Sequence, residues 1–326
     1  MTQALPKKLR FQFSTRSFFV LSIYVFFAGL GIWQSFLPFF AERHYRDGYM
    51  FEVQQRLNYA IEEYELAVED APWETQYMID LAKTYSDYAM KQSDIKQKQD
   101  YLKKSETLAL KTISYDKKNP WFKNRLAAIY LLMAEVNPSL AQTYMQDAET
   151  YTRQAADADN KNPLFKINLA YFLHRIGKTD EAILFYKKAV QLDDRMAEAR
   201  FNMADIYQKR GDLMGVLKEY ETVVSKDPNF ANINLALASV YVQLHQKSHD
   251  PTYLRKAALC LEREKIKTPS NKEVLKNLVA IYTQLQDWPH ALAHYHYLEA
   301  HDPDLFHAYH PFYLQALSMT KKSGVK

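Results

Sequence analysis

Six of the ten histidines fall between His290 and His310, and His290 with His294 form an i, i+4 pair. On a helix that spacing puts two imidazoles on one face, where they could share a metal ion. A hydrolytic zinc site would also place a glutamate between them, but the intervening residues are Ala291, Leu292 and Ala293, and no thiolate or converging carboxylate is evident. The pair stands one position before Ala291 and Tyr295, residues of helix-packing type, so both rings are expected to face solvent. A metal-binding enzyme built on His290 and His294 is one alternative reading; the preferred reading assigns no metal and no cofactor.

Other chemical signatures are thinner. Ser93 with Lys96, and Ser114 with Lys117, have the Ser-x-x-Lys spacing of a penicillin-binding nucleophile, but no Lys-Thr-Gly or Ser-Asp-Asn accompanies them. The chain has seven glycines, two of them in the apolar segment near its start, too few and too scattered for a phosphate cradle. A single cysteine, Cys260, excludes an internal disulfide and a multi-thiolate metal site. The chain is therefore expected not to be an enzyme.

The elements that must position these residues are written as a repeat. Leu169, Ala170, Gly177, Ala182, Tyr186 and Ala189 recur 34 residues later as Met203, Ala204, Gly211, Val216, Tyr220 and Val223. Within each copy the apolar residues return at helical spacing on either side of a glycine, so each copy reads as two antiparallel amphipathic helices. Asp227 and Pro228 close the second copy, since proline cannot continue a helix. One such hairpin cannot bury its own apolar face, so neighbours must stack on it.

This pattern resembles the tetratricopeptide repeat (TPR) family, whose signature runs Leu-Gly, Tyr, Ala-x3-Phe and Pro. Ala170 and Ala204 stand where the family has Gly, and Asp194 where the first copy should have Pro. The same register can be carried along the chain. It picks out Gly48, Ala60, Tyr64, Ala67 and Pro72; Leu81, Ala82 and Tyr85; Leu126, Ala127 and Tyr130; Leu237, Ala238 and Tyr241; and Leu278, Tyr282, Ala291, Tyr295 and Pro303. The resemblance implies an all-α superhelix of about seven hairpins over residues 42–305. Residues 306–326 follow as a capping helix with a polar outer side, and a tail.

Ahead of the repeats, residues 17–41 form twenty-five positions without a charge. As a helix they would extend about 37 Å, enough to span a bilayer. Trp33, Phe36, Phe39 and Phe40 crowd the far end as an interfacial belt would. Lys7, Lys8, Arg10 and Arg16 precede the span with no acidic residue among them, so residues 1–16 are expected to be a cytoplasmic tail and the repeats to lie across the membrane, in the periplasm if the source is bacterial. Those four residues supply the whole net charge of +4, and the rest of the chain holds 38 basic and 38 acidic residues. Such a balance argues against nucleic acid as a partner.

In the resembled family, ligands lie on the concave wall made by the first helix of each hairpin, and the residue before the Leu-Gly pair is among those that face them. Carried onto this sequence, that implies a protein-binding face of Asn168, Tyr171 and Arg175, then Phe201, Asn202, Asp205 and Lys209, then Lys276 and Asn277. An asparagine amide both donates and accepts, which suits the backbone of an extended peptide. The family's chaperone-tail clamp does not match, since the corresponding positions hold Asn124 and Ala128, then Asn168, then Glu198 and Asn202. The reading is a non-catalytic scaffold anchored through Ser17–Ala41 that binds an extended peptide or helix within a larger membrane complex of the cell envelope. Two further alternatives are an accessory partner of a glycan-polymerising or glycan-ligating membrane enzyme, and an organelle import receptor with cytosolic repeats.

Overall fold

A computed structural model describes residues 36–323, and within that range the chain is helical with no strand. Residues 1–35, which hold the expected tail and most of the expected span, lie outside the described residues. Residues 36–41, the remainder of that span, belong to the first described helix, α1 (36–53), and Ala41 is fully buried in it. No described helix is long and apolar enough to cross a membrane.

The chain divides into two compact units, one ending at Ala158 and one beginning at Asp159. The described part of the first holds three hairpins. They are α1 with α2 (Leu57–Asp70), α3 (Thr75–Lys91) with α4 (Ile95–Tyr115), and α5 (Pro120–Val136) with α6 (Ala141–Ala158), the last pair joined through a 3₁₀ turn at Pro138–Leu140. The second holds α7 (Pro163–Arg175) with α8 (Thr179–Leu192), α9 (Ala197–Lys209) with α10 (Leu213–Lys226), α11 (Ile233–Ser248) with α12 (Pro251–Lys267), and α13 (Lys272–Gln284) with α14 (Trp288–His301). A single helix, α15 (Pro303–Ser323), follows.

Local sequence sets the helix starts. Asn119, Asn162 and Asp250 each accept a hydrogen bond from the backbone N–H two residues on, at 2.9 to 3.0 Å, and each is followed by proline at the first helical position. The side chain satisfies an N–H that the helix leaves open, and the proline gives up none that the helix needs. Several of the hairpin turns place one residue in the left-handed conformation. Gly177 and Gly211 supply it at φ of +82° and +75°, while Gln55 and Gln286 occupy the same place at +61° and +57°.

Stacking then closes the core. In the C-terminal unit one continuous apolar cluster runs from Ala197 to Ala316, with Tyr295, Leu278 and Val274 fully buried in it. In the N-terminal unit Tyr64 is fully buried, and Gly48 lies so close to it that a Cβ there would fall 2.6 Å from the ring. The outer side of α15 is not wholly polar: Phe312, thirty-four residues after Leu278, is 49% exposed, and Leu314 is also exposed.

Candidate protein-binding face

The residues expected to bind a partner all lie in the C-terminal unit, on the first helices α7, α9 and α13, and the structure gives them different work. Asn168 is half-buried and Arg175 exposed, and both are engaged within the protein. Tyr171 is exposed. Phe201 packs against the core, its ring stacked on Tyr220 at 5.3 Å and tilted against Phe230 at 5.6 Å. Asn202 is half-buried beside the phenol of Tyr186, which is fully buried. Burial, followed by the charges of Glu198 and other nearby groups, holds that hydroxyl well above its ordinary pKa.

Asp205 and Lys209 pair with each other at 2.7 Å and reach across to His174 on α7, at 3.6 and 3.4 Å. Burial first, then the Lys209 charge, push His174 below its usual value, against the pull of Asp205. Two further polar rungs join successive first helices. Gln208 on α9 donates to Gln243 on α11 at 3.0 Å, and Gln284 on α13 donates to His245 Nε2 on α11 at 3.1 Å. The other nitrogen, Nδ1, lies 2.9 Å from the Asp250 carbonyl, which can only accept, so the proton sits on Nδ1. Asp205 and Lys209 are thus struts between hairpins, a role their spacing alone did not disclose.

Asn277 behaves differently. It lines a cavity of about 420 Å3 bounded by α11, α12 and α13. Leu235, Val242, Leu254, Leu261 and Ile281 provide apolar lining, and Ser239, Glu273, Asn277 and Gln284 provide the polar part. The position that holds Tyr171 on α7 and Asp205 on α9 is occupied by Ser239 on α11 and Ala280 on α13, and these small side chains leave the space. Lys276, grouped with Asn277 by sequence, does not line it. The register already used for Tyr171 and Asp205 leads to Ser239 and Ala280, and continuing it would have found them.

In the N-terminal unit the residue before the Leu-Ala pair is Asp80 on α3 and Arg125 on α5, so Asn124 was one position out of register. Asp80 accepts from Tyr45 and Gln76, both at 2.7 Å, and Lys83 bridges Glu52 and Asp87. Burial lowers the Arg125 pKa, opposed by the surrounding charges of Asp87, Asp80 and Glu52. Charged groups dominate this face, with Lys83 tied to two carboxylates.

The histidine pair is divided. His290 is exposed and bonded to Asp287 at 2.8 Å, whereas His294 is buried, contrary to the solvent-facing position expected for both. His294 Nε2 meets Glu262 at 2.6 Å and Nδ1 meets Lys265 at 3.3 Å, so the ring lies between an anion and a cation. Among the described residues no group of three or more histidine, cysteine or carboxylate side chains is arranged to hold a metal. Cys260 is buried, and burial pushes its thiol up to about 11, leaving it protonated and unreactive at neutral pH.

No protein-family profile matches the chain, and comparison with curated proteins finds none that matches. Among solved structures it is similar to a thermophilic TPR protein from Thermus thermophilus, at 16% identity over 62% of this chain and 99% of that one, with a TM-score of 0.49. It is also similar to pilF of Pseudomonas aeruginosa, at 15% identity over 72% and 95% of the two chains, with a TM-score of 0.49. A third is a tetratricopeptide repeat protein from Parabacteroides merdae, at 13% identity over 86% and 98%, with a TM-score of 0.48.

Proposed function

We propose that the chain is a non-catalytic protein-binding scaffold of the tetratricopeptide type, held at a membrane by Ser17–Ala41 and serving in a cell-envelope assembly. The observation that carries the binding half is the first-helix face of the C-terminal unit. There a partly apolar cavity opens beside the amide of Asn277, while Asp205 with Lys209, Gln208 with Gln243 and Gln284 with His245 are tied into struts. The membrane half rests on sequence: the uncharged run of twenty-five residues, its aromatic end and the four basic residues before it.

Photocrosslinking from Tyr171 and Asn277 in native membranes tests the first half; a protein adduct that depends on those positions supports it, and adducts no different from those at exposed Lys267 on α12 refute it. Alkaline extraction of membranes tests the second. The intact chain is expected to stay in the pellet and a chain lacking residues 1–41 to be released. For sidedness, Cys260 is a poor label site because it is buried, and an exposed Ser270→Cys replaces it.

A further inference from the structure

The cavity between α11 and α13 carries enough chemistry to specify its occupant, given that the first-helix face binds a peptide at all. Its volume of about 420 Å3 falls within the range of pockets that enclose small ligands. Its apolar side chains come from three helices, and an aliphatic or aromatic group placed there loses water without losing hydrogen bonds.

Two side chains at its edge are uncommitted. The Asn277 amide is half-buried and makes no hydrogen bond to another described residue, so it can both donate to and accept from a peptide backbone. Glu273 is the one charged group lining the cavity, and its carboxylate has no hydrogen-bond or ion-pair partner among the described residues. The cation that precedes it, Lys272, is held by Asp302 at 2.7 Å, and Lys276 stands outside the lining. An unpaired carboxylate beside an apolar hole favours a cation on whatever fills the hole, and disfavours an acidic one.

We infer that this site takes an extended peptide segment in which a bulky apolar residue, aromatic or leucine-sized, lies within two residues of a lysine or arginine. The apolar side chain enters the cavity, the Asn277 amide pairs with the main chain beside it, and the basic side chain reaches Glu273.

The test is selection from a random linear twelve-residue peptide library displayed on phage, using the full-length protein in detergent. Binding of synthetic fluorescent versions of the enriched peptides is then measured. Enriched sequences are expected to share the apolar and basic pair. Ala280→Trp on α13 and Ser239→Tyr on α11, which fill the hole from opposite sides, are each expected to weaken binding tenfold or more while the helical circular dichroism and the melting temperature are retained. Two independent fillings guard against one of them misfolding. Glu273→Gln is expected to weaken a lysine-containing peptide severalfold and to leave its Lys→Ala version unchanged.

Enriched peptides that lack the pair, acidic peptides, or binding indifferent to both fillings would overturn the inference. If such peptides instead lose binding on Tyr171→Ala or Asn202→Ala, the first-helix face still binds and only this assignment falls. If no peptide is enriched at all, both readings fall.

Discussion

The Tyr241 hydroxyl donates to the Glu221 carboxylate at 2.5 Å, linking α11 to the second helix of the hairpin before it. The same link, again between a tyrosine and a glutamate twenty residues earlier, joins Tyr282 to Glu262 at 3.3 Å and Tyr85 to Glu65. Burial, then the glutamate in each case, holds these phenols above their ordinary pKa, with Tyr282 at about 12. Tyr241→Phe keeps the packing and removes one hydrogen bond to an exposed carboxylate, so it is expected to cost about 1 kcal/mol in urea unfolding. Glu221→Gln combined with it is expected to cost little more than either change alone.

His294 gives the fold a dependence on pH. It faces Glu262 and Lys265 on α12 and lies against the Tyr282 ring on α13 and near His290 on its own helix. Burial lowers its pKa most; Lys265 and His290 act the same way, and Glu262 opposes them. With Lys265 on Nδ1 and Glu262 on Nε2, the neutral ring protonated at Nε2 satisfies both neighbours. Because the folded value lies below the unfolded value of about 6.5, the unfolded chain takes up the proton first as pH falls. The contribution is thus complete above that pH and is lost progressively below it. Melting temperature is expected to fall between pH 7 and pH 5, and His294→Gln is expected to flatten that slope; an unchanged slope would show that other groups set it.

Gln286 sits in the left-handed conformation that glycine adopts at Gly177 and Gly211. A side chain there costs roughly 1–2 kcal/mol, partly offset by the lower entropy of its unfolded state. Gln286→Gly is therefore expected to stabilise the C-terminal unit by about 0.5–1 kcal/mol, read as a higher melting temperature. Gly211→Gln should do the reverse.

Gly48 reports on the first hairpin. A methyl group added there meets the ring of Tyr64, which is wholly enclosed and bonded to Glu52 at 2.9 Å. Gly48→Ala is expected to cost about 1–3 kcal/mol, the usual penalty for overpacking. Detection by limited proteolysis after α1 would localise the damage.

The hairpins were legible because their signal is a period. Small and aromatic residues returning every 34 positions constrain helix, turn and neighbour together, and a few exchanges such as Ala170 for Gly do not erase it. The surroundings of the proposed binding residues were legible only in part. Register singled out Asn277, which lines the cavity, but it could not show that Phe201 is claimed by Tyr220 and Phe230 or that Asp205 is claimed by Lys209 and His174. Competition among neighbours decides such cases, and neighbours come from other hairpins. The cavity escaped because it is made by what Ser239 and Ala280 lack. His294 escaped because a position adjacent to a packing residue was read as solvent-facing; Glu219, one residue before Tyr220, is likewise buried, and it pairs with Arg200 at 3.0 Å.

Phe312 gives α15 an unfinished side. Its counterpart Leu278 is wholly enclosed, whereas no described helix follows α15 to cover the phenylalanine. A copy of α14 spliced in after Ser323 is expected to cover that ring, and lengthening the protein in this way should toughen it against heat.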